Sequence, residues 1–124
     1  MTELLHLPPR PGARVACDMT TAVDTPAERL GEYGRLFAAA LLRRERTADA
    51  VILAFRSDPE TRDRVLALAK REAACCPFLD YRVETAGDEL HWTLAGPVDG
   101  DDRGSIGVIL DGFHAGDPRF ELRR

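Results

Sequence analysis

The sequence predicts a small α+β protein, a two-layer sandwich in the order β-α-β-α-β-β-α with helices on one face of a mostly antiparallel sheet. Three observations carry that prediction. The stretches "DTPAERLGEYGRLFAAALLRRE" and "SDPETRDRVLALAKREAACCP" each repeat apolar residues at helical spacing, and the segment from Leu79 to Leu94 alternates with period two about Gly87-Asp88. Amphipathic helices beside a half-apolar hairpin bury their stripes against one face of its sheet. A chain of 124 residues is one domain's worth of sequence and can enclose a single core.

Residues 1–12 hold three prolines and read as an extended N-terminal arm. A single α+β domain is expected over 13–116, with a polar C-terminal tail over 117–124. A first strand is expected near Ala13 to Asp18. The first helix starts at Thr25, which can cap it; Pro26 suits the first turn and Glu28 completes a capping box. Its apolar face is Leu30, Tyr33, Phe37, Ala40 and Leu41, and its basic end carries Arg43, Arg44 and Arg46.

"AVILAFR" is β-branched and short, hence a strand. The second helix is capped by Ser57 or Asp58, with Glu60 suiting a capping box. It should run to about Cys75, because Pro77 disfavours helical geometry at Cys76. In the hairpin, a two-residue turn at Gly87-Asp88 sets Glu84 opposite His91 and Val83 opposite Trp92. "GPVDGDDRG" reads as a loop, and Ser105 to about Ala115 as a last short helix built on Ile106, Ile109, Leu110 and Phe113.

Composition excludes several function classes. A net charge of −4 argues against a broad nucleic-acid surface, which neutralises phosphates with Lys and Arg. No apolar run approaches the ~18 residues of a membrane span, and the N-terminus lacks the pattern of a secretory signal. Three cysteines are too few for a disulfide scaffold, so a reducing cytoplasm with free or metal-bound thiols is expected. There is no P-loop, dinucleotide fingerprint or G-x-S-x-G elbow.

Chemistry concentrates in "KREAACCPF". Projected as a helix, Val65, Leu66, Leu68, Ala69 and Ala73 define an apolar face. Cys76 falls in its middle, Cys75 at its margin, and Glu72 also points into it. A carboxylate there costs free energy unless it is paired, hydrogen-bonded or facing a cavity. The negative end of a helix disfavours a thiolate and Glu72 adds to that, whereas a bound cation reverses the balance. A held soft ion therefore suits the pair better than a free nucleophile. Cys17, beside Asp18 and Met19, could complete a trigonal site; burial in a strand and a disulfide to either partner are its alternatives. His91 reads as an exposed cross-strand partner of Glu84 instead of a ligand.

The pattern Glu72-x-x-Cys75-Cys76-Pro77-Phe78, followed by the hairpin and a closing Gly96-Pro97, resembles a segment of small, largely actinobacterial proteins of no assigned activity. It is also similar to a module appended to some MerR-type heavy-metal regulators. The resemblance covers about residues 60 to 97, and this chain shows no winged-helix region. That company implies soft-metal sensing or sequestration.

The expectation is accordingly a cytoplasmic protein that binds a soft metal, metalloid or related small ligand, with a thiophilic metal ion as the implied cofactor. Cys75 and Cys76 would be thiolate ligands, Cys17 a third, and Glu72 a ligand or an acceptor behind them. No nucleic acid or membrane is expected as partner. The alternatives are a thiol redox or thiol-transfer enzyme using Cys75 and Cys76, and a non-catalytic interaction module with structural cysteines.

Overall fold

A computed structural model describes residues 1–96 and 103–114, apart from the side chains of 103–105 and 114. Its elements run β1 (Thr2–Leu7), α1 (Pro26–Ala40), β2 (Leu41–Arg46), β3 (Ala50–Arg56), α2 (Pro59–Cys75), β4 (Asp80–Ala86), β5 (Glu89–Ala95) and α3 (Arg103–His114). The strands form one antiparallel sheet in the order β1-β4-β5-β3-β2. The protein is an α+β fold, as the hydrophobic periods predict.

The central hairpin follows its local chemistry. Gly87 takes a positive φ of 64° in the tight turn, and Ala86 pairs with Glu89 across it. The register sets Val83 opposite Trp92 and Glu84 opposite His91, as expected. Tyr81, Val83, Trp92 and Leu94 share one face with Leu53 and Val51 of β3, and all are essentially excluded from solvent. All three helices reach this face. Tyr33 of α1 stacks on Trp92 and meets Phe113 of α3, while Tyr81 donates a hydrogen bond to the Cys76 carbonyl at the end of α2.

Both helix starts are built by their caps. The Thr25 hydroxyl accepts from the Glu28 N–H at 3.1 Å, and the Glu28 carboxylate accepts from the Thr25 N–H at 2.8 Å. Asp58 caps α2 by accepting twice from Thr61, from its N–H at 2.8 Å and from its hydroxyl at 3.0 Å. At the other end of α2, Cys76 leaves the helix with ψ of 69° ahead of Pro77.

Four expectations are corrected. The arm over 1–12 contains strand β1, which pairs with β4, so the sheet begins before residue 13. The strand expected at Ala13 to Asp18 is irregular backbone instead; the Asp18 N–H bonds the Cys75 carbonyl at the end of α2, and the Arg10 N–H bonds the Pro77 carbonyl just beyond it. The first helix ends at Ala40, and the basic stretch expected at its end is edge strand β2. Arg43 and Arg46 there bond Glu89 and Asp111, Arg44 lies over the Phe37 ring, and such charges discourage pairing with other sheets. The final helix begins at Arg103, inside the expected loop. Residues 97–102 of that loop, and the tail over 117–124, lie outside the described residues.

Gly96 sits where the sheet meets α3. A Cβ there would stand 2.3 Å from Ile106 Cγ2 and 3.2 Å from Leu79 Cδ2. Gly96→Ala is therefore expected to destabilise the fold by about 1–3 kcal/mol through overpacking. Guanidinium denaturation measures it, and an unchanged midpoint would contradict this packing.

Candidate functional site

The site forms where the last turn of α2, the start of α1 and the loop before α1 come together. The 3.6-residue period carries Glu72 and Cys76 to the same side of α2, one turn apart, with Cys75 next to them. On α1 the buried stripe is Arg29, Tyr33, Leu36 and Ala40, so a guanidinium is carried inside by the same spacing that buries the apolar residues. The loop before α1 delivers Asp24 and Cys17 to these helices.

Arg29 is wholly buried and its guanidinium is shared three ways. Nε and Nη2 donate to the two oxygens of Asp24 at 2.6 and 2.7 Å. Nη1 donates to Glu72 Oε1 at 2.9 Å, and Nη2 lies 3.7 Å from the Cys75 sulfur. Arg71 donates to Asp24 Oδ2 at 3.1 Å and also pairs with Glu32 of α1. The second Glu72 oxygen stands 3.7 Å from Cys76 Sγ. Beneath them, Tyr81 donates to the Cys76 carbonyl at 2.8 Å.

The electrostatics follow from the contacts. Burial works against the Arg29 charge, yet the hydrogen bonds to Asp24 and the Glu72 charge outweigh it and raise its pKa above the ordinary guanidinium value. The Arg29 hydrogen bonds, more than the charges of Arg29 and Arg71, hold the Asp24 carboxyl below its usual range against the opposing effect of burial.

Cys17 and Cys76 are joined as a disulfide, with Cα atoms 4.5 Å apart across a sequence separation of 59. The expectation of free thiols is thus corrected for these two residues, and of the alternatives for Cys17 the disulfide is the one formed. Cys75 keeps a free, buried thiol. Glu72 is paired with Arg29 instead of being open to an ion. Cys17, Cys75, Cys76 and Glu72 are brought together, but not as one ligand set: among the described residues no group of three or more His, Cys, Asp and Glu is arranged to hold a metal ion.

A cavity of about 240 Å³ lies beside the end of α2, lined by Leu7, Pro8, Arg10, Ala73, Ala74, Pro77, Leu79 and Tyr81 and by none of the cysteines. His91 sits opposite Glu84, as expected, but bonds Glu89 at 2.9 Å, two residues along its own strand. Together with the Arg43 fork, which contributes most, that bond lowers the Glu89 pKa to about 2.

Sequence reasoning found Glu72 and the cysteines but missed Arg29 and Asp24. The signal was available: Arg29 falls four residues before Tyr33 on the α1 stripe, just as Glu72 intrudes on the α2 stripe. Opposite charges on two facing stripes are natural partners. No family model, curated protein or solved structure matches the chain. No helix among the described residues is long and apolar enough to cross a membrane.

Glu72→Ala removes one partner of a buried pair and should cost about 3–5 kcal/mol, measured by denaturant unfolding. A loss below about 1 kcal/mol would show that the Arg29–Glu72 pair does not hold the helices together. Because its folded pKa is depressed, Asp24 contributes stability above the unfolded carboxylate pKa of about 3.9, and loses it as pH falls through the lower folded value. In acid titrations of stability, Asp24→Asn should flatten that decline; a profile identical to that of the parent protein would contradict it.

Proposed function

We propose that this chain is a cytosolic thiol-redox protein whose working couple is Cys17 and Cys76. The observation that carries this reading is the pairing itself, which joins a loop to a helix end over 59 residues beside a third, unpaired cysteine. In a reducing compartment such a bond is a regulated state more than a permanent staple.

The burial supports a small oxidant over a protein one. Cys17 is 9% exposed and Cys76 is 0%. Cys17, on the loop, is therefore the entry point for a low-molecular-weight disulfide RSSR. Its thiolate attacks one sulfur and releases RS⁻; the Cys76 thiolate then attacks Cys17 Sγ and releases the second RS⁻. The two protein thiols lose two protons and two electrons, and RSSR gains those electrons. Closing a loop of this length stabilises the oxidised fold by about 4 kcal/mol in the chain-entropy picture.

A second reading rests on the same convergence. Once reduced, Cys17 and Cys76 offer two soft donors side by side, suited to a thiophilic ion such as Hg(II), Cu(I) or As(III). Cys75 is the nearby third thiolate for that reading, and Glu72 the acceptor behind Cys76. The metal-regulator resemblance points the same way, and sensing or sequestration would be the role.

Alkylation mapping after treatment with a small-molecule disulfide separates the readings. The redox reading expects denatured, oxidised protein to be alkylated at Cys75 alone and to melt below its oxidised temperature once reduced. Alkylation at all three cysteines would sink it. Titration of reduced protein with Hg(II) forms the second arm. Stoichiometric binding that disappears in Cys17→Ser and Cys76→Ser, without disulfide formation in the first arm, would favour the metal reading.

A further inference from the structure

We propose that Arg29 and Asp24 are positioning residues for the disulfide: their ion pair docks the Cys17 loop against α2 and so sets how readily Cys17 and Cys76 exchange between dithiol and disulfide. This deepens the thiol-redox reading and rests on it.

Asp24 belongs to the same loop as Cys17, and both its oxygens are taken by Arg29, with Arg71 adding a third bond. Arg29 in turn holds Glu72, one helical turn before Cys76 on α2. One guanidinium therefore connects the loop carrying one sulfur to the helix carrying the other. Between these anchors, the loop's only backbone bond to α2 among the described residues is from Asp18 N–H to the Cys75 carbonyl at 2.9 Å. The loop's apolar residues Ala13, Val15, Met19 and Ala22 are partly buried against the core, and the ion pairs add a charged anchor to that packing.

An intramolecular exchange depends on the effective concentration of one thiol at the other. A docked loop keeps Cys17 near Cys76 in the reduced state and favours ring closure of the mixed disulfide over its reversal. An undocked loop does not. The planar fork matters here, because it binds Asp24 with two parallel bonds and still has Nη1 for Glu72; an ammonium of the same charge cannot do both. By linkage the effect is reciprocal, so the closed disulfide also holds Asp24 on Arg29.

The decisive readout is the reduction potential of the folded protein, equilibrated in graded glutathione buffers and read by alkylation. A purely structural role weakens the oxidised and reduced folds alike and leaves the potential in place. Asp24→Asn keeps the side chain's shape and removes its charge. It should lower the equilibrium constant for disulfide formation about tenfold or more, a rise in potential of about 30 mV. Arg29→Lys should move it in the same direction, and Glu28→Gln, at the α1 cap but outside the ion network, should leave it unchanged. If the parent protein titrates as a dithiol couple while Asp24→Asn and Arg29→Lys keep its potential, the positioning role is overturned. If the parent protein forms no Cys17–Cys76 disulfide in any buffer, it is the redox reading that fails. Should Arg29→Lys not fold, by circular dichroism, Asp24→Asn alone decides the outcome.

Discussion

Arg29 places a full positive charge inside the protein, between two helices and the loop that precedes the first. A cation stripped of water is tolerated only where anions replace that water, and here Asp24 and Glu72 do so from opposite sides. The requirement constrains everything nearby. It fixes the rotation of α1, since Arg29 must face α2, and it holds the loop down on both helices. It also explains how Glu72 can occupy the apolar face of α2 while buried.

The cysteines inherit their positions from this arrangement. Pro77 stops α2 at Cys76, the helical period puts that residue on the side of Glu72, and the docked loop brings Cys17 to it. The adjacent Cys75 reaches the Arg29 guanidinium instead. Two neighbouring cysteines therefore meet different surroundings, one bonded to the loop and one beside the cation. The Cys17–Cys76 bond thus shares its surroundings with the contacts that hold α1, α2 and the loop together.

How much of this could be read in the sequence follows from where each feature gets its determinants. The two capped helices, the stop at Pro77 and the hairpin register were legible because a few adjacent residues decide each of them: Thr25 with Glu28, Asp58, Cys76 before Pro77, Gly87-Asp88. Strands β1 and β2 were not legible. Leu41–Arg46 is made of good helix formers and becomes a strand because β3 offers it an edge, and Thr2–Leu7 is a strand only against β4. The site divides in the same way. Glu72 and Cys76 stand out because their own helix exposes the anomaly, whereas the Cys17 pairing and the Asp24–Arg29 contact depend on a loop path that no local pattern encodes. Reading Arg29 as a charge in the α1 stripe would have supplied the missing counterion.

The central claim is that Cys17 and Cys76 behave as one redox couple while Cys75 does not take part. Carbon NMR of cysteine-labelled protein across a graded thiol–disulfide buffer tests this most directly, because each Cβ resonance reports whether its own sulfur is bonded. The account predicts that the Cys17 and Cys76 resonances change together at a single midpoint and that Cys75 keeps its reduced shift throughout. Separate midpoints for Cys17 and Cys76, or a Cys75 resonance that changes with either, would contradict it.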